Sequence, residues 1–353
     1  MPATTLHMEK GQQLATARYQ WVDYAKGIAI ILVVYRHMLY GLQHTGLPVA
    51  QWIIDGNNML FSFRMPLFFL LSGLFFQAGL KKRGATGLLA DRTNNLLYPY
   101  IIWASIQITL QIVFSRFANA DRNLWSYAEI FVQPRSLDQL WYLFALFNVT
   151  ALYLFNHSIV KLSTTQQLLL GLVLLGIAPW AVPISTCYDV LLHYIFFSIG
   201  VAVAPYLLNE TAQQQLSQGK YLLFLLPAFA YSQWYFLYHQ QMNLFLYAVI
   251  ALTGSLFMVL LSAWLAKFNV LGVFKIIGTY SLYIYLLHVM LAAVLRSLLI
   301  KCGIHNVPIL LLMLIAGSIP LSILVYKTML KCRLGWLFKG PLKVKKQTYE
   351  KGK

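Results

Sequence analysis

Apolar stretches of about twenty residues recur between Tyr24 and Leu330, separated by short polar segments, and each is long enough to cross a hydrocarbon core of about 30 Å. The pattern predicts an all-α integral membrane protein of about ten transmembrane helices. The expected spans are 24–42, 59–80, 96–117, 140–155, 167–182, 190–208, 221–238, 243–266, 280–300 and 307–330. Pro179 and Pro227 lie in or near the fifth and seventh spans, where a kink is tolerable only if neighbouring helices cover the freed carbonyls. The chain then divides into an N-terminal segment 1–23, a membrane domain 24–330 and a basic tail 331–353, with no soluble domain expected in either flank. The first apolar run is too long for a signal peptide, holds Arg36 and His37, and is not followed by a small-residue cleavage site.

Composition agrees with the pattern. Of 353 residues, 59% are hydrophobic and only 10% charged, which excludes a water-soluble globule. The 27 Lys and Arg outweigh the 10 Asp and Glu to give +17, a balance that would suggest nucleic acid in a soluble protein. Here the distribution is the message, and nucleic acid is not an expected partner. One set of loops and flanks carries Lys10, Arg18, Lys26, Lys81, Lys82, Arg83, Arg92, Lys161, Lys220, Lys267, Lys275 and nine more basic residues from Lys327 to Lys353, whereas the alternate loops carry Arg116, Arg122, Arg135 and Lys301. With an even number of helices both termini share a side, and this bias places both in the cytosol. The tail, with Trp336, Leu337 and Phe338 beside many lysines, reads most simply as an anchor on anionic lipid. Cys187, Cys302 and Cys332 are scattered and read as packing residues, and the eight histidines show no ligand spacing, so no metal site is expected.

Ionisable groups inside a membrane cost about 2.5–3.5 kcal/mol at mid-helix, so each calls for a partner, a water-filled cavity or a function. The first span carries Asp23, Lys26, Arg36 and His37, the second Arg64, and the ninth His288 and Arg296. Lys26 and His37 are eleven positions apart, about three turns, and so share nearly one face about 16 Å apart. Arg64 and His37 fall at similar depths below the outer ends of their spans, where they could meet. A lone His37 would read as a packing histidine. With cationic neighbours its imidazole is instead held neutral, available as a base or nucleophile. Lys26 taken alone is a snorkelling edge residue.

The stretch WVDYAKGIAIILVVYRHML, residues 21–39, resembles the first helix of the acyltransferase family 3 membrane proteins, in which Arg or Lys is followed after ten residues by His. Four further elements agree in order: FRMPLFFLLSG (63–73), RTNNLLYPYIIW (92–103), LWYLFALF (140–147) and IGTYSLYIYLLH (277–288). Among branches of the family the chain is most similar to fucose O-acetylase-like and exopolysaccharide acetyltransferases. Three positions depart from the pattern: Lys26 stands where Arg is commoner, Arg36 where a small residue is expected, and Arg64 where the branch often has His.

The resemblance implies a multi-pass protein of the cell inner (plasma) membrane. It implies transfer of an acyl group, usually acetyl from cytosolic acetyl-CoA, to a sugar hydroxyl of a surface or exported polysaccharide on the other side, with acyl-CoA as co-substrate and no tightly bound cofactor. Some relatives append an esterase-like domain, for which this chain has no room, so it is expected to complete its transfer alone. His37, Arg64 and Lys26 are the expected catalytic residues. Lys26, Lys81, Lys82, Arg83 and Arg92 form a cytosolic rim suited to the CoA phosphates, about 16 Å from His37, although a positive-inside signal alone would look the same. The loop before the fourth span offers Arg135, Asp138, Gln139, Trp141 and Tyr142, suited to sugars, with an interfacial aromatic belt as the plain alternative for Trp141 and Tyr142. Ser281, Tyr285 and His288 share one face of the ninth span and are expected to contact acceptor, His288 being otherwise a packing histidine. Ser72 and Gly73 read as a close helix contact. The rival reading is a secondary transporter or lipid-linked sugar carrier using His37, Arg64 and His288 as a path. The lack of an internal repeat and the scarcity of acidic residues in the helices count against it.

Overall fold

A computed structural model describes residues 19–115 and 122–344. Lys10, Arg18, Arg116 and residues 345–353 of the basic tail lie outside the described residues. All regular structure among the described residues is helical. In order it runs α1 (Gln20–Gln43), α2 (Gln51–Met59), α3 (Arg64–Leu74), α4 (Phe76–Arg92), α5 (Tyr98–Val113), α6 (Ser126–Val132), α7 (Trp141–Ser158), α8 (Thr164–Ile177), α9 (Ser185–Leu207), α10 (Glu210–Leu216), α11 (Gly219–Tyr238), α12 (Leu244–Phe268), α13 (Val273–Thr279), α14 (Ser281–Lys301) and α15 (Val307–Lys331). Local chemistry sets several starts: the side chains of Ser163, Asn209, Asn243 and Asn306 each accept a hydrogen bond from the amide three residues on, satisfying a donor that the helix itself cannot.

Among the described residues seven helical segments are long and apolar enough to cross a bilayer: Gln20–Gln43, Phe76–Val113, Thr164–Ala181, Ser185–Leu207, Leu244–Phe268, Ser281–Lys301 and Val307–Lys331. The remaining predicted spans are helical too, but differ in form. The second is broken at Phe75 between α3 and α4, and α4 turns back at Gly84, whose φ of 69° is open to glycine and strained for other residues. The fourth and seventh correspond to α7 and α11, which carry polar positions such as Asn148, Asn156, Ser232 and Gln233. Burial is inverted relative to a soluble protein: Val173, Leu223, Phe224 and Leu312 are exposed, while Arg64, His288, Ser255, Ser318 and Gln167 are buried.

α1 is the hub, packed by α3, α12, α13, α14 and α15. Two pairs of glycines bring backbones together. A Cβ on Gly27 would lie 2.0 Å from the carbonyl oxygen of Phe274, and one on Gly278 would lie 1.7 Å from that of Asp23, so α1 and α13 touch main chain to main chain. Gly73 and Gly200 do the same for α3 and α9, each virtual Cβ falling 2.2 Å from the other helix's carbonyl oxygen. Gly73 is thus the helix contact its sequence context predicts.

The first part of the tail packs back on the protein. Leu337 and Phe338 are buried, Phe338 packing on Trp103, Tyr283 and Tyr326, and the Trp103 indole donates to the Leu337 carbonyl at 3.0 Å. Asn94, in a π turn over Thr93–Leu97, exchanges hydrogen bonds with the backbone of Leu342 (2.7 and 3.0 Å) and accepts from the Gly340 amide through its own carbonyl. Unpaired backbone groups are better satisfied by this docking than by lipid. Trp336 alone of the three stays exposed.

Because a methyl group at Gly73 or Gly200 meets backbone oxygen and not a movable side chain, Gly73→Ala and Gly200→Ala should each cost about 1–3 kcal/mol. Gly272→Ala, with open space around it, should be near neutral. Thermal midpoints of the detergent-purified variants check this, and equal midpoints for all three would refute the packing account.

Candidate active site

The C-terminal half of α1, the start of α3, the segment leading into α7, the start of α9, the α11–α12 connection and the second half of α14 together line a cavity of about 670 Å³. These lining segments lie toward the ends of the helices remote from Gln20, where the chain enters α1. His37, Arg64, Asp138, Trp141 and Tyr285, five of the residues singled out from sequence, line it together. His288 stands directly behind, its imidazole 5.3 Å from that of His37 between centroids and roughly edge-on.

Helix geometry sets the state of His288. Its Nδ1 lies 2.8 Å from the Ile284 carbonyl and 3.1 Å from that of Tyr285. Carbonyls only accept, so in the neutral ring Nδ1 carries the proton and Nε2 the lone pair. Nε2 is buried and has no hydrogen-bond partner among the described residues. His193, on α9, is held the same way by the Asp189 carbonyl at 2.8 Å; it lines the cavity between Phe69, stacked at 4.4 Å, and Trp141.

Arg64 is 1% exposed. Its Nε donates to the Leu60 carbonyl at 2.7 Å and its terminal nitrogens donate to Asn57, one to Oδ1 at 2.9 Å and the other to the carbonyl. These carbonyls belong to the end of α2, where a helix leaves acceptors unmet, so Arg64 caps α2 while filling one wall of the cavity. Three of its five N–H groups are committed to this task.

At the mouth, Arg135 pairs with buried Asp189, donating at 2.8 and 2.5 Å to Oδ1, and its guanidinium lies over the rings of Trp141 and Tyr188 at 4.9 and 5.0 Å. Asp138 accepts from Gln107 at 3.3 Å and holds φ 54°, ψ −114°, a backbone conformation that costs a non-glycine residue on the order of 1–3 kcal/mol. Withdrawal from bulk water raises its carboxyl above the ordinary range, against the pull of Arg122 and His44.

The basic residues expected to face a phosphate-rich donor are not part of this cavity. Lys26 sits near the start of α1, the opposite end from His44. Lys81 and Lys82 are exposed beside the Gly84 turn, and Arg83 pairs with Asp91 at 3.6 Å. Arg92 points inward, its Nε without a hydrogen-bond partner among the described residues and its charge within range of the Tyr142 hydroxyl. Tyr142 stacks edge-on with Tyr285 at 5.7 Å, so an aromatic pair separates Arg92 from the histidines.

The sequence profile of acyltransferase family 3, described as an acyltransferase domain, matches residues 19–327, nearly the whole described chain. The chain belongs to this family. Two nodulation proteins NolL are similar to it: that of Mesorhizobium japonicum is 33% identical over 89 residues, 25% of this chain and 24% of the relative. That of Sinorhizobium fredii is 25% identical over 203 residues, 57% of this chain and 53% of the relative. The chain thus matches between about a quarter and about half of the length of these curated relatives. No solved structure matches.

In this family 3 member the motif residues His37, Arg64, Trp141 and Tyr285 converge on one cavity with His288 behind them, while the Arg92–Trp103 element forms the π turn and the dock for the tail. Sequence reading missed Asp189 and His193. The signal was available: two ionisable residues four apart in an apolar run, the criterion that singled out His37. Starting the sixth span at Val190, five residues late, put Asp189 outside the membrane.

If Arg64 caps α2, a lysine cannot replace its fork. Arg64→Lys should lose about 1.5–3 kcal/mol of stability and Asn57→Ala about 1 kcal/mol. The drop in thermal midpoint measures both, and an unchanged midpoint for Arg64→Lys would refute the cap.

Proposed function

We propose that the protein is a membrane-bound O-acyltransferase that moves an acyl group, acetyl in the first instance, from cytosolic acyl-CoA to a sugar hydroxyl of a surface or exported polysaccharide on the outer side of the inner membrane. In this reading ten helices cross the membrane and both termini are cytosolic, so the cavity opens outward and Lys26, Lys81, Lys82, Arg83 and Arg92 face the CoA phosphates. The observation that carries it is the pair of imidazoles at the base of the cavity, His37 lining it and His288 presenting a lone pair toward the interior.

On the direct route His37 takes the proton of the acceptor hydroxyl as its oxygen attacks the thioester carbonyl, and the CoA thiolate leaves and is reprotonated. On the covalent route His37 attacks the thioester carbonyl first and the C–S bond breaks to release CoA thiolate; the acceptor oxygen then attacks the acyl-imidazole, the acyl–nitrogen bond breaks to return His37, and the hydroxyl proton leaves with the imidazole or to water. The two N–H groups that Arg64 does not spend on α2 are suited to the developing oxyanion in either route. Gln139, whose Oε1 has no partner among the described residues, and Asp138 and Trp141 supply the mixture of acceptors and apolar faces that holds a sugar.

A second reading, a carrier for sugars, gains one observation. Buried Asp189, tied to Arg135, provides the titratable carboxylate that a coupled carrier needs and that the helices otherwise lack near the cavity.

Purified protein mixed with labelled acetyl-CoA separates these. Transfer to added sugar, reduced at least about 100-fold by His37→Ala, is the expected result. Label retained on His37 without acceptor assigns the covalent route. Undiminished transfer by His37→Ala would sink the proposal, and sugar flux in proteoliposomes without acetyl-CoA turnover would establish the carrier.

A further inference from the structure

Four arginines line the cavity, and Asp138 is the one carboxylate that lines it among the described residues. Arg135 is neutralised by Asp189, and Arg64 gives three of its N–H groups to the end of α2 and in the proposed reaction keeps the other two for the oxyanion. That leaves Arg36 and Arg296. Neither has an acidic partner among the described residues, although the other ion pairs there, Arg83–Asp91 and Arg122–Glu129, show that carboxylates are supplied elsewhere. A charge in a membrane helix without a counter-charge is costly, and these two share one cavity.

Both are held in place by neutral contacts. The Arg36 guanidinium lies over the rings of Tyr40 and Phe61, at 4.5 and 4.4 Å, contacts that hold it without neutralising its charge. Arg296 reaches across from α14 to α1, where its terminal nitrogen lies against Gly41. Gly41 lies one turn beyond His37 on the same face, about 6 Å along the axis. Arg36 adjoins His37 in sequence.

We infer that Arg36 and Arg296 form an anion clamp for the acceptor, so that this chain acts on an acidic sugar, one carrying a carboxylate or phosphate within about one residue's span of the hydroxyl at His37. The donor's phosphates are not the match, because the cations suited to them lie at the other end of α1 and around Gly84. The inference rests on the acyltransferase reading only for the word acceptor. The clamp itself is a binding site.

The test is equilibrium binding of the full-length protein in neutral detergent to three labelled oligosaccharides of equal length: trigalacturonate, a phosphorylated mannotriose and maltotriose. At least one anionic ligand should bind ten-fold or more tightly than maltotriose, and that margin should shrink as salt rises. Arg36→Gln and Arg296→Gln should each remove most of it, while Arg36→Lys and Arg296→Lys retain a part. Should a glutamine variant fail to give a monodisperse protein, the lysine variants and the wild-type salt dependence still decide. Equal binding of charged and neutral ligands, or a margin that survives both glutamine variants, overturns the clamp. Competitive displacement of trigalacturonate by CoA or by phosphatidylglycerol micelles also overturns it, reassigning the arginines to donor or lipid. Acetyl transfer is read separately. Clamp-dependent binding without transfer rejects the acyltransferase reading and keeps the site, whereas equal transfer to maltotriose and trigalacturonate keeps the reading and rejects the site.

Discussion

The main-chain contact between α1 and α13 sets the register on which the site depends. Gly27 and Gly278 meet with no room for a side chain on either, and ten residues further along each strand of the sequence stand His37 and His288, whose rings meet in turn. At about 1.5 Å per residue α1 climbs roughly 15 Å from the first contact to the second, while the partner segment passes from α13 through Tyr280 into α14. In a setting where lipid offers no hydrophobic drive between helices, close backbone approach is the available source of fixed geometry. A methyl group at the base would tilt or slide α1, and the imidazoles would lose their pairing without any change at the site itself.

Polar satisfaction then determines which buried charges are structural and which remain for a ligand. Arg64 ends α2 by covering its terminal carbonyls, and Arg135 is closed by Asp189, so both positive charges have protein reasons to exist. The i−4 carbonyls that fix His193 and His288 make the opposite arrangement, spending the proton of each ring on the helix and leaving a lone pair on the other nitrogen. Helix carbonyls, each with a second lone pair to share, therefore accept the Arg64 cap in one place and orient two imidazoles in others.

Much of this was legible in the chain. Length and apolarity gave the helical segments, and the rule that intramembrane charges need a reason pointed to His37, Arg64 and His288 before any contact was known. The breaks were not legible: Phe75 interrupts the second span two residues after Gly73, a glycine that the sequence offers equally as a close helix contact and as a helix end. Asp189 was hidden by a boundary drawn where hydropathy rises, whereas α9 begins earlier, at a helix end that Arg135 screens. The fate of Leu337 and Phe338 depended on partners far away in sequence, Asn94 and Trp103, which no reading of the tail alone contains.

The cavity has one more physical effect, which concerns the electric field. In the proposed orientation, with the cleft open to water on the outer side, the membrane potential falls across the remaining dry barrier, the stretch of α1 between His37 and Lys26, about 16 Å and not about 30 Å. A full crossing is worth about 2.3 kcal/mol per elementary charge per 100 mV. Concentrated over roughly half the thickness, the gradient at the base of the cleft is about twice that of an undisturbed bilayer. A dipole or ion lodged beside His37 therefore feels the energised state of the membrane, and the occupancy of the cleft becomes a function of voltage as well as of concentration.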